Sequence, residues 1–338
     1  MTSPSAAPFG VFYDSLDLTN VRSQNVEPRI LLFGGSLSQD PNTGDLSCRD
    51  AFYNALRKNS HDILNHVLLA ETIFDFYKDS TYTDLLTFEL DLAELSTATV
   101  IIPESFGSVA ELGSFSVLKA FRNQLLVATR QSTDLEKSFT HNGPILYLQN
   151  KKSDIVKFYD WSVSEGNYTP ESFSNYSELA DEISKISQAN SKGRNLKDSK
   201  HGILLYSILG FLKVALLVRP NEMLDFAKYI FDKIPENTPT KTKKNKHDNI
   251  TRDELHRKLQ LLEHLKFIKT IQHGNYSYYV LTNDSVEFTK FSYTEKAIIK
   301  NTEDWINYFI EIYNKSDLSK IRTWQKYLRE TYREDSNE

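Results

Sequence analysis

Between residues 29 and 148, short apolar runs rich in β-branched residues alternate with stretches of helical length, and this alternation constrains the fold more than any other feature. RILLF (29–33), a run within 67–76, ATVII (98–102), QLLVA (124–128) and ILYL (145–148) are the strand candidates. Runs this continuous suit strands covered on both faces, as in a parallel sheet. Residues 50–58, 83–95 and 115–121 supply helical stretches between them. The order predicts an α/β fold, a Rossmann-like parallel sheet with helices on both faces, over residues 28–150.

The most specific chemistry lies in PESFGSVAELG, residues 103–113. Glu104 leaves the carboxyl end of the ATVII strand, Gly107-Ser108 opens a helix, and Glu111 is placed in that helix's first turn. Open α/β sheets bind ligands outside the carboxyl ends of their strands, where helix N-termini point amides at anions. Ser108 and Glu111 also fit a capping box, a purely structural use of the same residues. Gly34-Gly35-Ser36 after the first strand is half of a phosphate- or sugar-binding arrangement, and equally fits a plain strand-to-helix turn.

Two carboxylates at such an edge suit cleavage of an N-glycosidic bond. One traps or stabilises the anomeric carbon, while the other binds hydroxyls or assists the leaving base. Glu111 takes the first role, with a helix N-terminus expected to lower its pKa. Glu104, or one of Asp84, Glu89 and Asp91, takes the second. Gly34, Gly35, Ser36, Ser105, Gly107, Ser108, Glu89 and Asn142 are the candidate substrate contacts. His61, His66 and His141 lack metal-ligand spacing, so no metal and no cofactor is expected.

The second half of the chain has a different character. Residues 1–191 hold 14 basic and 25 acidic residues, a net of −11, whereas residues 192–273 hold 17 and 9, a net of +8. A basic segment attached to an acidic one predicts that only the former meets a polyanion. Residues 203–218 are apolar apart from Lys213, too short for a membrane span of about 20 residues, and are expected as a buried helix. A helix at 221–234, a lysine-rich loop at 238–249, a capped helix from Thr251 and a hairpin turning at His273-Gly274-Asn275 follow in the order of a winged helix. Lys241, Lys243, Lys244, Lys246, Arg252, His256 and Arg257 are its candidate nucleic-acid contacts. The divisions expected are a flexible arm (1–27), the sheet domain (28–150), a connector (151–199), a winged-helix-like domain (200–290) and a helical tail (291–338). One cysteine, Cys48, excludes an internal disulfide framework. Residues 1–10 lack a basic stretch followed by an apolar run, so a cytoplasmic protein without a signal peptide is expected.

The run at 107–113 resembles the glycine-to-glutamate turn of nucleoside deoxyribosyltransferases. The longer PESFGSVAELGSFS (103–116), with Phe33-Gly34-Gly35 and Asn142-Gly143-Pro144, is still more similar to effectors of bacterial retrons. The resemblance implies a deoxyribosyltransferase-like domain with a winged-helix-like C-terminal region and Glu111 as catalytic residue. It also implies a toxin held in check by a reverse transcriptase and its RNA–DNA hybrid (msDNA), released on phage infection to hydrolyse NAD or a related nucleotide. That domain type often builds its site between subunits, so a homo-oligomer is expected. Glu104 stands where deoxyribosyltransferases carry an aspartate-bearing turn, a departure that argues against ordinary base exchange. Two other functions fit the residues: a nucleotide-sensing DNA-binding regulator without turnover, and a deoxyribosyltransferase of nucleoside salvage.

Overall fold

The computed structural model describes residues 7–38, 47–130, 137–159, 175–234 and 249–334. The chain divides into two compact units, Val26–Arg194 and a discontinuous one made of Met1–Asn25 and Asn195–Glu338. It opens with helix α1 (Ala7–Ser15) and strand β1 (Leu16–Ser23), which belong to the discontinuous unit. The α/β unit then runs β2 (Ile30–Phe33), α2 (Cys48–Lys58), β3 (Val67–Leu69), α3 (Ala70–Asp79), α4 (Leu85–Glu94), β4 (Ala98–Ile101), α5 (Phe106–Ser116), β5 (Leu125–Arg130), α6 (Leu146–Lys151), β6 (Val156–Tyr159) and α7 (Tyr176–Lys192).

Its five strands are all parallel, in the order β3-β2-β4-β5-β6. From β2 the chain steps out to β3, then returns past β2 to lay down β4, so a switch point lies between β2 and β4. Phe33 pairs with Ile101, and the Ile102 amide donates to the Phe33 carbonyl at 2.9 Å. The turns that follow the two strands therefore emerge side by side. Ile30, Leu32, Ala98, Val100, Leu126 and Ala128 share one core cluster with Phe52 and Leu56 of α2 and Leu179, Ala180 and Ile183 of α7. Side chains alternate across a strand, and Phe33, of opposite parity, meets Phe115 of α5 at a ring separation of 5.8 Å. Each such burial stabilises the unit by about 1.5–3 kcal/mol relative to exposure.

Two expectations about this unit are corrected. Residues 145–148 are helical: His141–Ile145 form one π-helical turn around Pro144, and α6 continues from it. Ile145 and Leu148 are buried while Tyr147 between them is exposed, which is helical spacing. The fifth strand is β6, taken from the stretch 151–199 expected as a connector. That stretch also supplies α7, pinned to the sheet by a 2.6 Å Thr97–Ser187 hydroxyl pair and by the Asn190 amide donating to the carbonyls of Thr97 and Asn123.

The discontinuous unit continues with α8 (Lys200–Ala215), α9 (Pro220–Lys233), α10 (Arg252–His264), β7 (Ile268–His273), β8 (Tyr276–Leu281), β9 (Thr289–Tyr293), α11 (Thr302–Ser316) and α12 (Leu318–Glu334). Strands β7 and β8 pair antiparallel through a tight turn with Gly274 at φ 59°. Val218, between α8 and α9, bridges to Tyr279 of β8. Helix, bridge, helix, helix, hairpin is the connectivity expected of a winged helix. The apolar run at 203–218 is buried along almost its whole length, in α8 and the residues after it. No helix among the described residues is long and apolar enough to cross a membrane.

Residues 7–23, expected within a flexible arm, are instead integral to this unit. β1 pairs antiparallel with β9, Leu16 opposite Tyr293 and Ser23 opposite Thr289. Phe12 of α1 is fully buried and lies 4.9 Å, ring to ring, from Trp305 and 5.9 Å from Phe211 and Phe309. Leu16, Leu18, Val21 and Ser23 of β1 are buried among exposed polar neighbours.

Candidate active site at the carboxyl edge of the sheet

Gly34 and Gly35 leave the end of β2 and pass against the start of α2. A Cβ on Gly34 would fall 2.6 Å from Arg49 Cβ, and one on Gly35 2.5 Å from Ser47 Cβ, so both positions demand glycine. The reason for this closeness is Glu104. One carboxylate oxygen accepts the amides of Gly35 (2.9 Å) and Arg49 (2.8 Å), and the other accepts the amide of Cys48 (2.6 Å). The amide nest and helix N-terminus expected to receive a ligand anion thus hold the chain's own carboxylate. Glu104 ties the turn after β4 to the turn after β2 and to α2.

Helix α5 begins one turn earlier than the capping-box reading implied. Ser105 is the N-cap; its hydroxyl accepts the Ser108 amide at 3.1 Å, and the Ser108 hydroxyl accepts the amides of Ser105 (2.9 Å) and Glu104 (3.1 Å). Ser105 Oγ also lies 3.1 Å from the Gly34 carbonyl, to which it donates. The box therefore pairs Ser105 with Ser108, not Ser108 with Glu111. Glu111 falls in the second turn of the helix, beyond the reach of an N-terminal amide.

There it faces a cavity of about 240 Å³ lined by Phe33, Ile73, Phe74, Leu85, Phe88, Leu92, Glu89 and Glu111. Its Oε2 is buried and meets no hydrogen-bond partner among the described residues. Burial raises the Glu111 pKa to about 7, against an opposing pull from Arg49. The expected lowering by the helix N-terminus is overturned, because desolvation dominates where no amide reaches the carboxylate. Across the cavity Glu89 is raised further, to about 8, by burial and then by the Glu111 charge.

The other sequence candidates lie elsewhere. The Ser36 carbonyl accepts the Ser47 hydroxyl at 2.8 Å, and Ser36 is exposed. Gly107 is exposed in the first turn of α5, and a Cβ there would meet nothing closer than Ser105 Oγ at 3.8 Å. Asn142 is exposed in the π-helical turn, its amide donating to the Ser138 carbonyl at 3.0 Å. None of these three lines the cavity. Among the described residues no group of three or more His, Cys, Asp or Glu side chains is placed to hold a metal.

Sequence reasoning missed Arg49, which is 3% exposed, and the aromatic walls Phe33, Phe74 and Phe88. One signal was available for Arg49: an arginine in a helix's first turn opposes the macrodipole and needs an anion to justify it. In the discontinuous unit, α10 exposes Arg252 and His256 and half-exposes Arg257. Lys258 on the same helix is buried, 3.0 Å from His201 Nδ1. Lys241, Lys243, Lys244 and Lys246 lie outside the described residues.

Fold and site define the class: an α/β protein with two half-buried carboxylates lining one cavity of its parallel-sheet unit, carried in one chain with a mainly helical second unit. The chain belongs to the family described as STM3845 retron effector protein, which matches residues 45–270. It is also similar to an Escherichia coli protein named "Retron Ec73 putative ribosyltransferase/DNA-binding protein", 28% identical over 179 residues. That match covers 51% of this chain and 55% of the relative, so the chain spans about half the length of the curated relative it matches.

Proposed function

We propose that this retron effector cleaves the N-glycosidic bond of a nucleotide, with NAD the first substrate to test. One observation carries the reading: Glu111 and Glu89 share an apolar cavity at the sheet's switch point, and a Glu111 oxygen is buried there without a partner. The relative's name, which pairs ribosyl transfer with DNA binding, supports it.

In the proposed reaction the Glu111 carboxylate attacks the anomeric carbon and the bond from that carbon to the base nitrogen breaks. The bonding pair leaves with the base. A pyridinium base such as nicotinamide departs neutral without a proton, whereas a neutral base takes one from Glu89. Water then attacks the anomeric carbon of the glycosyl ester, one of its protons passing to Glu89 where that group has given up its own and otherwise to solvent; the products are the phosphorylated sugar with an anomeric hydroxyl, ADP-ribose from NAD, and the restored Glu111 carboxylate. The apolar walls lower the local dielectric and strengthen the electrostatics of the pair. Glu104 does not touch the reacting atoms; it fixes the glycine turn and α2 around them.

The partners proposed are a reverse transcriptase and its RNA–DNA hybrid, with α10 and the lysines of residues 241–246 meeting phosphate, and further copies of the chain. Chromatography of NAD and of deoxynucleosides incubated with wild type and with Glu111→Gln tests the reaction. Base release by wild type alone supports the glycosidase. Equal release by both proteins rejects the assignment of Glu111. Should the isolated chain release nothing, the same assay is run with the reverse transcriptase and hybrid present. Continued silence there leaves the nucleotide-sensing regulator as the surviving function.

A further inference from the structure

We propose that α12 is a releasable strap: docked, it holds the joint between α8 and α9 in a strained conformation, and its release lets that joint and the β7–β8 hairpin attached to it relax. The device lies wholly within the discontinuous unit and is independent of the chemistry proposed for Glu111.

The strain sits at Leu216. Helix α8 ends at Ala215, and Leu216 follows at φ 66° and ψ −56°. The Leu217 amide donates back to the Ala215 carbonyl at 2.7 Å, closing a γ-turn with positive φ at its centre, the rarer and more strained of the two forms. A bulky residue at such a φ is an outlier that its surroundings must enforce. The enforcing contacts are apolar: Leu216 and Leu217 are buried in one cluster with Tyr278, Val280 and Tyr327, and Trp324 and Leu328 pack against it. Trp324, Tyr327 and Leu328 all belong to α12.

Polar contacts converge on the same joint. The Tyr313 hydroxyl of α11 donates to the Ala215 carbonyl at 3.0 Å, the acceptor that the γ-turn already uses. Lys320 of α12 is buried, pairs with Glu222 of α9 at 2.7 Å and donates to the Leu217 carbonyl at 3.5 Å. Asp317, just before α12, holds Arg219 at 2.8 Å, and Arg219 donates to the Tyr278 hydroxyl of the hairpin at 3.3 Å. Val218 and Tyr279 exchange both backbone hydrogen bonds, at 2.9 and 3.1 Å. Joint and hairpin are thus tied to α12 by the same few residues. Two features make the strap releasable. A buried ion pair adds little net stability, because both charges regain water when it opens. A cavity of about 110 Å³, walled by Leu212, Leu216, Val280, Ile306, Trp324 and Tyr327, leaves the packing beneath α12 incomplete.

A helix that merely completes the core would open without changing the turn. The test is therefore amide hydrogen exchange of the full chain in Leu216→Gly and Leu216→Ala. Both remove the buried side chain, and they differ in the Cβ that makes a positive φ costly. The α12 amides are expected to exchange about fivefold slower in Leu216→Gly, because docking then no longer strains the joint. Equal rates in the two variants, or faster exchange in Leu216→Gly, overturn the proposal. If neither variant folds, the wild-type protein in a urea series decides. The Leu217 and Tyr279 amides should then exchange through the same sub-global opening as α12. Leu217 and Tyr279 amides that open only with global unfolding of α8, or an α12 that does so, are equally fatal. Neither readout needs turnover, so failure here is distinguishable from failure of the glycosidase reading.

Discussion

Two carboxylates with midpoints near 7 and 8 in one cavity carry about one proton between them at physiological pH. Ionised Glu111 opposite protonated Glu89 is the dominant arrangement between those values. Turnover should therefore rise as pH climbs through about 7, and for a substrate whose base needs a proton it should fall again above about 8. A pH–rate profile flat from 6 to 9 would count against the pair. The same shifts fix a stability trend. Both folded values lie above the ordinary 4.5, so the fold disfavours the ionised forms, and stability present at pH 4 is lost progressively as pH rises through the folded values. Glu89→Gln removes that penalty. In urea unfolding it should match wild type near pH 4 and exceed it by about 2 kcal/mol at pH 9. Glu111 was legible from its strand-turn-helix setting. Arg49 offered only its unusual place in a helix's first turn, since Leu32, Gly34 and Glu104, which pack around it, are gathered there by the tertiary fold.

Capping shows where local pattern ceases to decide. Ser105-x-x-Ser108 and Ser108-x-x-Glu111 are overlapping frames of one motif, and the sequence offers both. The first wins because Ser105, at φ −122° and ψ 163°, is extended and donates to the Gly34 carbonyl across the switch point. Ser105→Ala should cost about 1–2 kcal/mol in chemical denaturation, since it removes the cap and the cross-turn bond together. Gly35→Ala, whose Cβ would overlap Ser47 and crowd the Glu104 carboxylate, should cost about 1–3 kcal/mol. Ser36→Ala, on an exposed side chain nearby, should stay within about 0.5 kcal/mol of wild type. β2, β4 and β5 were readable because they are buried on both faces and so run apolar without a break. β6 and β1 were not. β6 is four residues long with Lys157 in it, and β1 places Asp17, Asn20 and Arg22 between its buried residues.

At the scale of the molecule, the discontinuous unit is closed by its own beginning. Phe12→Ala should cost about 3–5 kcal/mol and strip amide-exchange protection from α8 and α11, while leaving β2, β4 and β5 protected. Uniform loss in both units would contradict the division. Neutralising Arg252, His256 and Arg257 together should weaken nucleic-acid binding and flatten its salt dependence by about 0.9 in log–log slope for each phosphate no longer neutralised, with Glu111→Gln binding unchanged. The two-unit plan was half legible, since the charge asymmetry marked the second unit but nothing local announced that β1 would pair with β9. That pairing has a consequence for how the protein comes into being. A ribosome releases the chain at about 5–20 residues per second, amino end first, and domains close as they emerge. The sheet, continuous in sequence, can assemble while the remainder is still being translated. β1 must wait through more than 250 further residues for β9. Any chain that stalls or is cut before residue 289 therefore presents an assembled sheet beside an orphaned first strand, and quality-control proteases have a ready handle on unfinished copies.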